Sequence, residues 1–230
     1  MRKIDKSAVV PSTLQVASVP ASAADVKDTI YKASDVRGQL LRDQAYKCAY
    51  CECSLSRQYN DVEHYRPKSR YYWLGHSWEN LLYSCDLCNR TYKKDEFPLQ
   101  NEQDRVTCPG SVANERPLII NPSEVDPSSH IRFRRHVMVG LTPEGKKTID
   151  IFHLNDRTER PDLIDNREQL FEEYEVAIKQ LHRTKKLLEK PNLPNDIIED
   201  LNEIIQLTER SISQKTSYSK AYSGMLISQM

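Results

Sequence analysis

The hydrophobic and polar positions divide the chain into stretches of different period. Residues 1–25 are rich in Ser, Ala, Val and Pro and hold no sustained period, which predicts an extended arm ordered against the body or against a partner. Between Ala24 and Gln44, Val26, Ile30 and Tyr31 are spaced for one helix and Val36, Leu40 and Leu41 for a second, with Ser34 as its expected N-cap. Asp95 to Ser111 is polar and reads as loop. Pro117 to Pro122 is a short apolar run, expected as a strand or buried extended segment. Asn121-Pro122 and Asp126-Pro127 mark turns.

Ile131, Phe133, Val137 and Val139 share one parity, which predicts a single half-buried strand. Thr142-Pro143-Glu144-Gly145 then predicts a turn and Lys147 to Phe152 a second strand, so that the two form a hairpin. From Asp162 to Lys190, apolar residues such as Leu163, Phe171, Tyr174 and Leu181 recur at helical spacing with charged outer faces. Pro191 to Pro194 breaks that helix, and Pro194 suits the first turn of the next, which carries Ile197, Ile198, Leu201, Ile204, Ile205 and Ile212. A helical hairpin follows, whose stripes are expected to bury each other rather than to form a partner groove. Tyr218, Tyr222 and Leu226 fall four apart, predicting that the helix continues into the tail.

Composition narrows the function classes. The 230 residues are 29% charged with no formal net charge, and the mean hydropathy is −0.68, which together imply a modest core and much solvated helix surface. A nuclease acting alone on long nucleic acid usually carries a basic surface, because phosphate contacts dominate its affinity. Here the positive charge is local: Arg66, Lys68, Arg70, Arg90, Lys93 and Lys94 against Glu79 and Asp86. No apolar run reads as a signal peptide or a membrane span, so a cytoplasmic location with reduced thiols is expected.

The stretch from Cys48 to Lys94 is the densest in groups that bind metal or move protons. Cys48/Cys51 and Cys85/Cys88 are two Cys-x-x-Cys knuckles, and two such turns meeting in space complete a tetrahedral thiolate site suited to structural zinc. Cys53 stands close enough to compete as a ligand, and Cys108 lies in a loop without a partner. Residues 52–84 are inserted between the knuckles. They hold Glu63-His64, neighbours that point to opposite faces of an extended segment, so Glu63 is expected to face a divalent cation and His64 an attacking water. A zinc ligand or a hydrogen-bonded structural histidine remains the alternative for His64. Asn89 opens a short helix and is either a ligand for a hard cation beside Glu63 or a simple helix cap. Lys93 and Lys94, one turn on, could reach phosphate.

These residues resemble the zinc-bearing branch of the HNH endonuclease family. The matches are Cys48 and Cys51, Glu63-His64 with Pro67, Asn80-Leu81, then Cys85, Cys88, Asn89 and Lys93. The departures are a Glu where Asp is usual and an Asn where His is frequent. CAYCE, VEHYRPKS, WENLLYSCDLCN, FPL, PLIINPSE and Leu154-Asn155 are similar to one subgroup, from about Lys32 to Arg167: the nuclease subunit of Septu-type anti-phage systems and related proteins encoded with retrons. The resemblance implies an α+β fold, a zinc-stabilised ββα-metal finger embedded in a mainly helical chain with a small β-hairpin and a C-terminal helical hairpin. With the arm and the helical end read from their composition and spacing, the chain is expected to divide into an arm over 1–25, an HNH domain over 26–120 and a partner-docking region over 121–230.

It also implies Zn²⁺ as structural metal and Mg²⁺ or Mn²⁺ in catalysis, held by Glu63 and Asn89. His64 would be general base and Asn80 would pin the loop that orients it. Arg66, Lys68, Arg90, Lys93 and Lys94 would hold flanking phosphates of DNA or RNA, or else be solvated surface charges. Tyr65, Tyr71, Tyr72 and Trp73 are expected to fill the core rather than stack on a base. An ATPase of the ABC/SMC type is the implied partner, which would account for the neutral charge. The competing expectation is a non-catalytic zinc-binding adaptor.

Overall fold

The computed structural model describes residues 1–55 and 60–229; positions 56–59 of the expected finger and residue 230 of the expected tail helix lie outside them. The fold is α+β. It is built on two small antiparallel hairpins, with helices before, between and after them.

The arm is ordered. It contains the short helix α1 (Ser12–Gln15) and buries Met1, Ile4 and Leu14. Ile4 N–H donates to Pro122 O, and Lys6 Nζ reaches the carbonyls of Trp78 and Leu81. Two further helices follow, α2 (Asp28–Tyr31) and α3 (Ser34–Asp43). Ala33, not Ser34, occupies the capping position of α3, so Ser34 lies in the first turn instead of capping it. Val36 and Leu40, four apart on one face of α3, are completely buried against the finger.

The finger pairs β1 (Asn60–His64) with β2 (Leu81–Cys85), in a register that sets Glu63 opposite Leu82 and His64 opposite Leu81. Every residue of β2 is buried, as its apolar sequence LLYSC requires. Gln44 extends the sheet sideways: its amide donates to Tyr83 O and accepts from Tyr83 N–H, as a neighbouring strand would, and it also donates to Lys47 O. That bond and the bond from Ala49 N–H to Tyr83 O fix the first knuckle beside β2. A π-helical segment, Leu87–Lys93, follows β2 directly.

Two expectations fail between residues 131 and 152. Ile131 to Gly140 is not one strand but a complete hairpin, β3 (Ile131–Arg134) against β4 (Val137–Gly140). Arg135 and His136 make the turn, with Arg135 in the left-handed region at φ 57°. The turn resets the parity, so Met138 is buried and Val137 is exposed. Lys147 to Phe152 is not a strand either, but most of it lies in helix α4 (Pro143–Ile151). Thr142 caps it by accepting from Gly145 N–H, and Pro143 fills the first helical position, where its missing N–H costs nothing.

Helices α5 (Pro161–Leu188) and α6 (Asn195–Thr216) form the expected hairpin. The burial is uneven. Phe171, Tyr174 and Ile212 pack with Met225 and Leu226 in a small second cluster, whereas Ile197 and Leu207 are 40% and 56% exposed. The tail does not continue α6. The chain turns at Ser217–Tyr222, and α7 (Ser223–Ile227) folds back onto the knuckle. The main core runs from Met1 to Leu163, so the arm, the finger and the β3–β4 hairpin share one interior.

Candidate functional site

Five of the six cysteines are buried beside β2, and Cys108 is exposed. The thiols of Cys48, Cys51, Cys53 and Cys85 all lie within 4.8 Å of one another. A tetrahedral zinc site with bonds of about 2.3 Å holds its sulfurs about 3.8 Å apart, and Cys51 Sγ and Cys85 Sγ are separated by 3.8 Å. Cys88 interacts with Cys48, Cys51 and Cys85 and accepts an N–H from Arg160 at 3.4 Å. Cys53 therefore joins the four expected sulfurs. Hydrogen bonds from Cys48 draw Cys51 and Cys85 below the ordinary thiol range, while burial pushes Cys48 and Cys88 above it. The donor set is soft, dry and closely spaced, and it fits a metal such as zinc.

A cavity of about 250 Å³ opens on the other side of the finger, lined among others by Asp61, Glu63, His64, Lys68, Asn89, Arg90 and Lys94. Glu63 and His64 are adjacent, yet both reach it, because β1 ends at His64. His64 Nε2 lies 2.9 Å from Gly75 O. A carbonyl oxygen can only accept, so Nε2 carries the proton and Nδ1 keeps its lone pair. The Tyr31 ring packs edge-on at 4.5 Å and fixes the imidazole plane. Burial pushes the imidazole pKa down to about 4, so His64 is neutral at pH 7.

Gly75 is suited to this position by space. A Cβ there would meet Val26 Cγ1 and Cγ2 at 2.6 Å and Tyr72 O at 2.9 Å. The backbone that holds His64 is thus pressed against α2's approach. Asn80 secures the same loop. Its Oδ1 accepts from Arg66 N–H at 2.7 Å, and its Nδ2 donates to Arg66 O at 3.0 Å and Leu74 O at 3.2 Å.

Glu63 is buried and forms an ion pair at 2.6 Å with Lys93, which also donates to His64 O. Burial raises the Glu63 pKa although Lys93 opposes the shift. Glu63 lines the cavity while its Oε1 is held by Lys93. Asn89 Nδ2 donates to Val62 O at 3.3 Å, which leaves its Oδ1 without that commitment. Two oxygens of the kind a hard cation prefers therefore border one cavity.

The basic residues separate into two groups. Lys68, Arg90 and Lys94 border the cavity. Lys93 is completely buried, and Arg66 is buried in an ion pair with Glu115 at 3.1 Å. Neither points into the cavity: one braces Glu63 and the other braces a network in which Tyr71 and Arg105 also meet Glu115 or each other. Tyr65, Tyr71 and Trp73 are buried in the core, as expected for a small finger, and Tyr72 packs against it.

No family model matches the chain. It is 31% identical over 220 residues to Septu protein PtuB of Bacillus mycoides (strain KBAB4), an alignment covering 85% of this chain and 73% of that protein. This chain belongs to the Septu PtuB family. Septu protein PtuB of Bacillus thuringiensis is 34% identical over 154 residues, covering 65% of this chain and 49% of that protein. Among the described residues no helix is long and apolar enough to cross a membrane.

Asp61 also lines the cavity, although the sequence did not single it out. Two positions before Glu63, it shares that residue's face of β1 and accepts from Lys32 at 2.8 Å and Arg90 at 3.0 Å. The alternation of Asp61 and Glu63 was the available signal. Tyr31 and Lys32 also border the cavity, and nothing in their sequence context distinguished them from ordinary helix residues.

Proposed function

We propose that this member of an anti-phage family is a metal-dependent HNH endonuclease that hydrolyses phosphodiester bonds of DNA or RNA, working beside an ATPase of the ABC/SMC type. One observation carries the reading. A neutral histidine, oriented by Gly75 O and by an asparagine-clamped loop, borders the same cavity as Glu63 and Asn89, on a finger built from β1, β2 and a following helical turn.

In this reading the cysteine cluster holds zinc and sets the shape of the finger. Glu63 and Asn89 would hold Mg²⁺ or Mn²⁺, which when bound supplies charge stabilisation at the phosphate and the leaving oxygen. His64 takes a proton from water at Nδ1, while Nε2–H stays on Gly75 O. Asn80 keeps that geometry by fixing Arg66 and Leu74. Lys68, Arg90 and Lys94 border the cavity and hold flanking phosphates; Lys93 and Arg66 act from inside, as braces. The arm joins the finger's core, and the docking region is α5–α6, where apolar residues remain exposed.

One observation favours the adaptor reading. Glu63 is already neutralised by a buried lysine, as a purely structural carboxylate would be. Cleavage assays on DNA and RNA with Mg²⁺ or Mn²⁺, with the neighbouring ATPase present, separate the two. The nuclease reading expects cutting that stops in His64→Ala while zinc content is unchanged. It fails if His64→Ala loses zinc and cuts normally once zinc is restored. Absence of cutting under every divalent ion selects the adaptor.

A further inference from the structure

Arg167 of helix α5 and Arg160, the residue just before that helix, are buried and meet no carboxylate in an ion pair among the described residues. Arg167 is 1% exposed and Arg160 is 4% exposed. Arg167 donates to Leu154 O, but its Nε and Nη1 are buried without a hydrogen-bond partner. Arg160 donates to Phe152 O at 3.0 Å and to Cys88 Sγ at 3.4 Å, and its Nε is likewise without a partner. A guanidinium stays charged at neutral pH, and an uncompensated buried charge is strongly unfavourable. Arg160 precedes α5 and Arg167 lies in its second turn, and both hold carbonyls of the segment that joins α4 to α5, Phe152 O and Leu154 O.

The compensating charge must come from what they face. Burial works against both charges; Arg160 meets the knuckle directly at Cys88 Sγ, and Arg167 is held on Leu154 O, two residues past the Phe152 ring that stacks on Tyr50 between Cys48 and Cys51. Tyr222 and Glu52 also act on Arg167, but Glu52 is already paired with the Met1 amine at 2.7 Å and with Lys47 at 3.3 Å. Four neutral thiols offer no charge. Four thiolates around a divalent metal carry a net charge of −2, which two guanidiniums cancel. The segment between α4 and α5 is pressed onto the same knuckles: Phe152 stacks on Tyr50 at 4.0 Å, and Tyr92 Oη donates to Glu159 O at 3.1 Å.

We propose that Arg160 and Arg167 are built-in countercharges of a dianionic metal–tetrathiolate centre, so that metal binding and the docking of α5 onto the finger stabilise each other. The inference rests on the metal-binding part of the proposed function and is independent of cleavage. It gives the C-terminal helical hairpin a task at the metal centre.

The test uses the full chain, as wild type and as Arg160→Gln, Arg167→Gln, Arg160→Lys and Arg167→Lys. Zinc affinity is measured by competition with a chromophoric chelator, and thermal unfolding is followed in zinc-loaded and chelator-stripped protein. Loss of a residue that supports the ligands typically weakens metal binding about 10- to 100-fold. Each Gln variant is expected to lose zinc affinity in that range, and each Lys variant to recover at least half of the loss on a logarithmic scale. Zinc-loaded Gln variants should melt below wild type, whereas the stripped ones should melt no lower, because they no longer bury an unanswered charge. A merely structural role would lower both melts alike. Gln variants that bind zinc within about twofold of wild type, or that melt equally low in both states, overturn the countercharge role. Where a Gln variant does not fold, the Lys variant decides, and a zinc affinity no better than that of the remaining Gln variant counts against the proposal. A wild-type chain that binds no zinc overturns the metal reading itself, a different result from zinc bound with unaltered affinity.

Discussion

Lys93 Nζ lies 2.6 Å from Glu63 Oε1, with both side chains out of water. The same ammonium donates to His64 O at 2.9 Å, so one lysine braces two consecutive residues at the end of β1. Removing one partner of a buried pair leaves the other charge uncompensated, at a cost of about 3–5 kcal/mol. Lys93→Met is expected to lose stability on that scale in urea unfolding. The double variant Lys93→Met/Glu63→Gln, which carries no orphan charge, should regain a large part of it. A loss below about 1 kcal/mol for Lys93→Met would show that the pair does not brace the finger.

Asn80 makes three hydrogen bonds to backbone groups of Arg66 and Leu74. Asn80→Ala strands those groups in the interior, each at about 1–3 kcal/mol before relaxation. Asn80→Asp should be no milder: it keeps an acceptor for Arg66 N–H but turns oxygen toward the Arg66 and Leu74 carbonyls. Chemical denaturation should show both variants destabilised by at least about 2 kcal/mol. If the Asp variant matches wild type, the donor half of the clamp is dispensable.

Gly75 supplies the carbonyl that fixes the His64 tautomer, in a space that admits no Cβ. Gly75→Ala must displace Val26 or the backbone near Tyr72. On the proposed nuclease reading, cutting should fall at least tenfold, since small misplacements of a reacting group cost about that much or more. Zinc content should stay at the wild-type level, as the cysteines are on other segments. An unchanged cleavage rate would mean that the loop absorbs the methyl group without moving His64.

Glu52 gives the protein an acid-sensitive joint. Burial alone would raise its pKa, but the Met1 amine and Lys47 outweigh burial and hold it at about 2 against an ordinary value of 4.5. A carboxylate depressed in the folded state contributes stability that is complete above its unfolded pKa and is lost as pH falls through the folded one. The window is therefore pH 4.5 down to 2, and the contribution is on the order of 3 kcal/mol. Glu52→Gln should melt well below wild type at pH 7, and the gap should close as pH drops below 4.5. A gap that is constant across that range would assign the loss to packing.

The parts of the molecule legible in its sequence are those where local spacing carries the information. Two Cys-x-x-Cys turns, an acid–His pair and the stripe from Leu163 to Leu181 each declare themselves within a few residues. The failures have physical causes. Ile131 and Val139 kept one parity across a turn that the period alone could not register, and Lys147 to Phe152 alternated like a strand while Thr142-Pro143 set the start of a helix. Buried charge was the larger omission. Lys93 and Arg66 read as phosphate contacts or solvated charges, Arg160 and Arg167 carried no signal at all, and only their three-dimensional partners reveal that all four are buried. Cys53 was visible as a competitor, but only folding places it among the other sulfurs.

The folding back of α7 has a consequence for how the protein comes into being. Gly224 N–H donates to Glu52 across 172 positions, and Ser223 accepts from Arg2 across 221. Contacts between such distant positions are the slowest to form, because the intervening chain must first be gathered in. On the ribosome the first knuckle emerges well before the residues that seal it are made. Until α7 has been made, the charge on Glu52 lacks the hydrogen bond from Gly224 N–H. A truncated product thus carries a knuckle that is open on one side, which makes early release of the chain visible as a loss of acid and heat resistance.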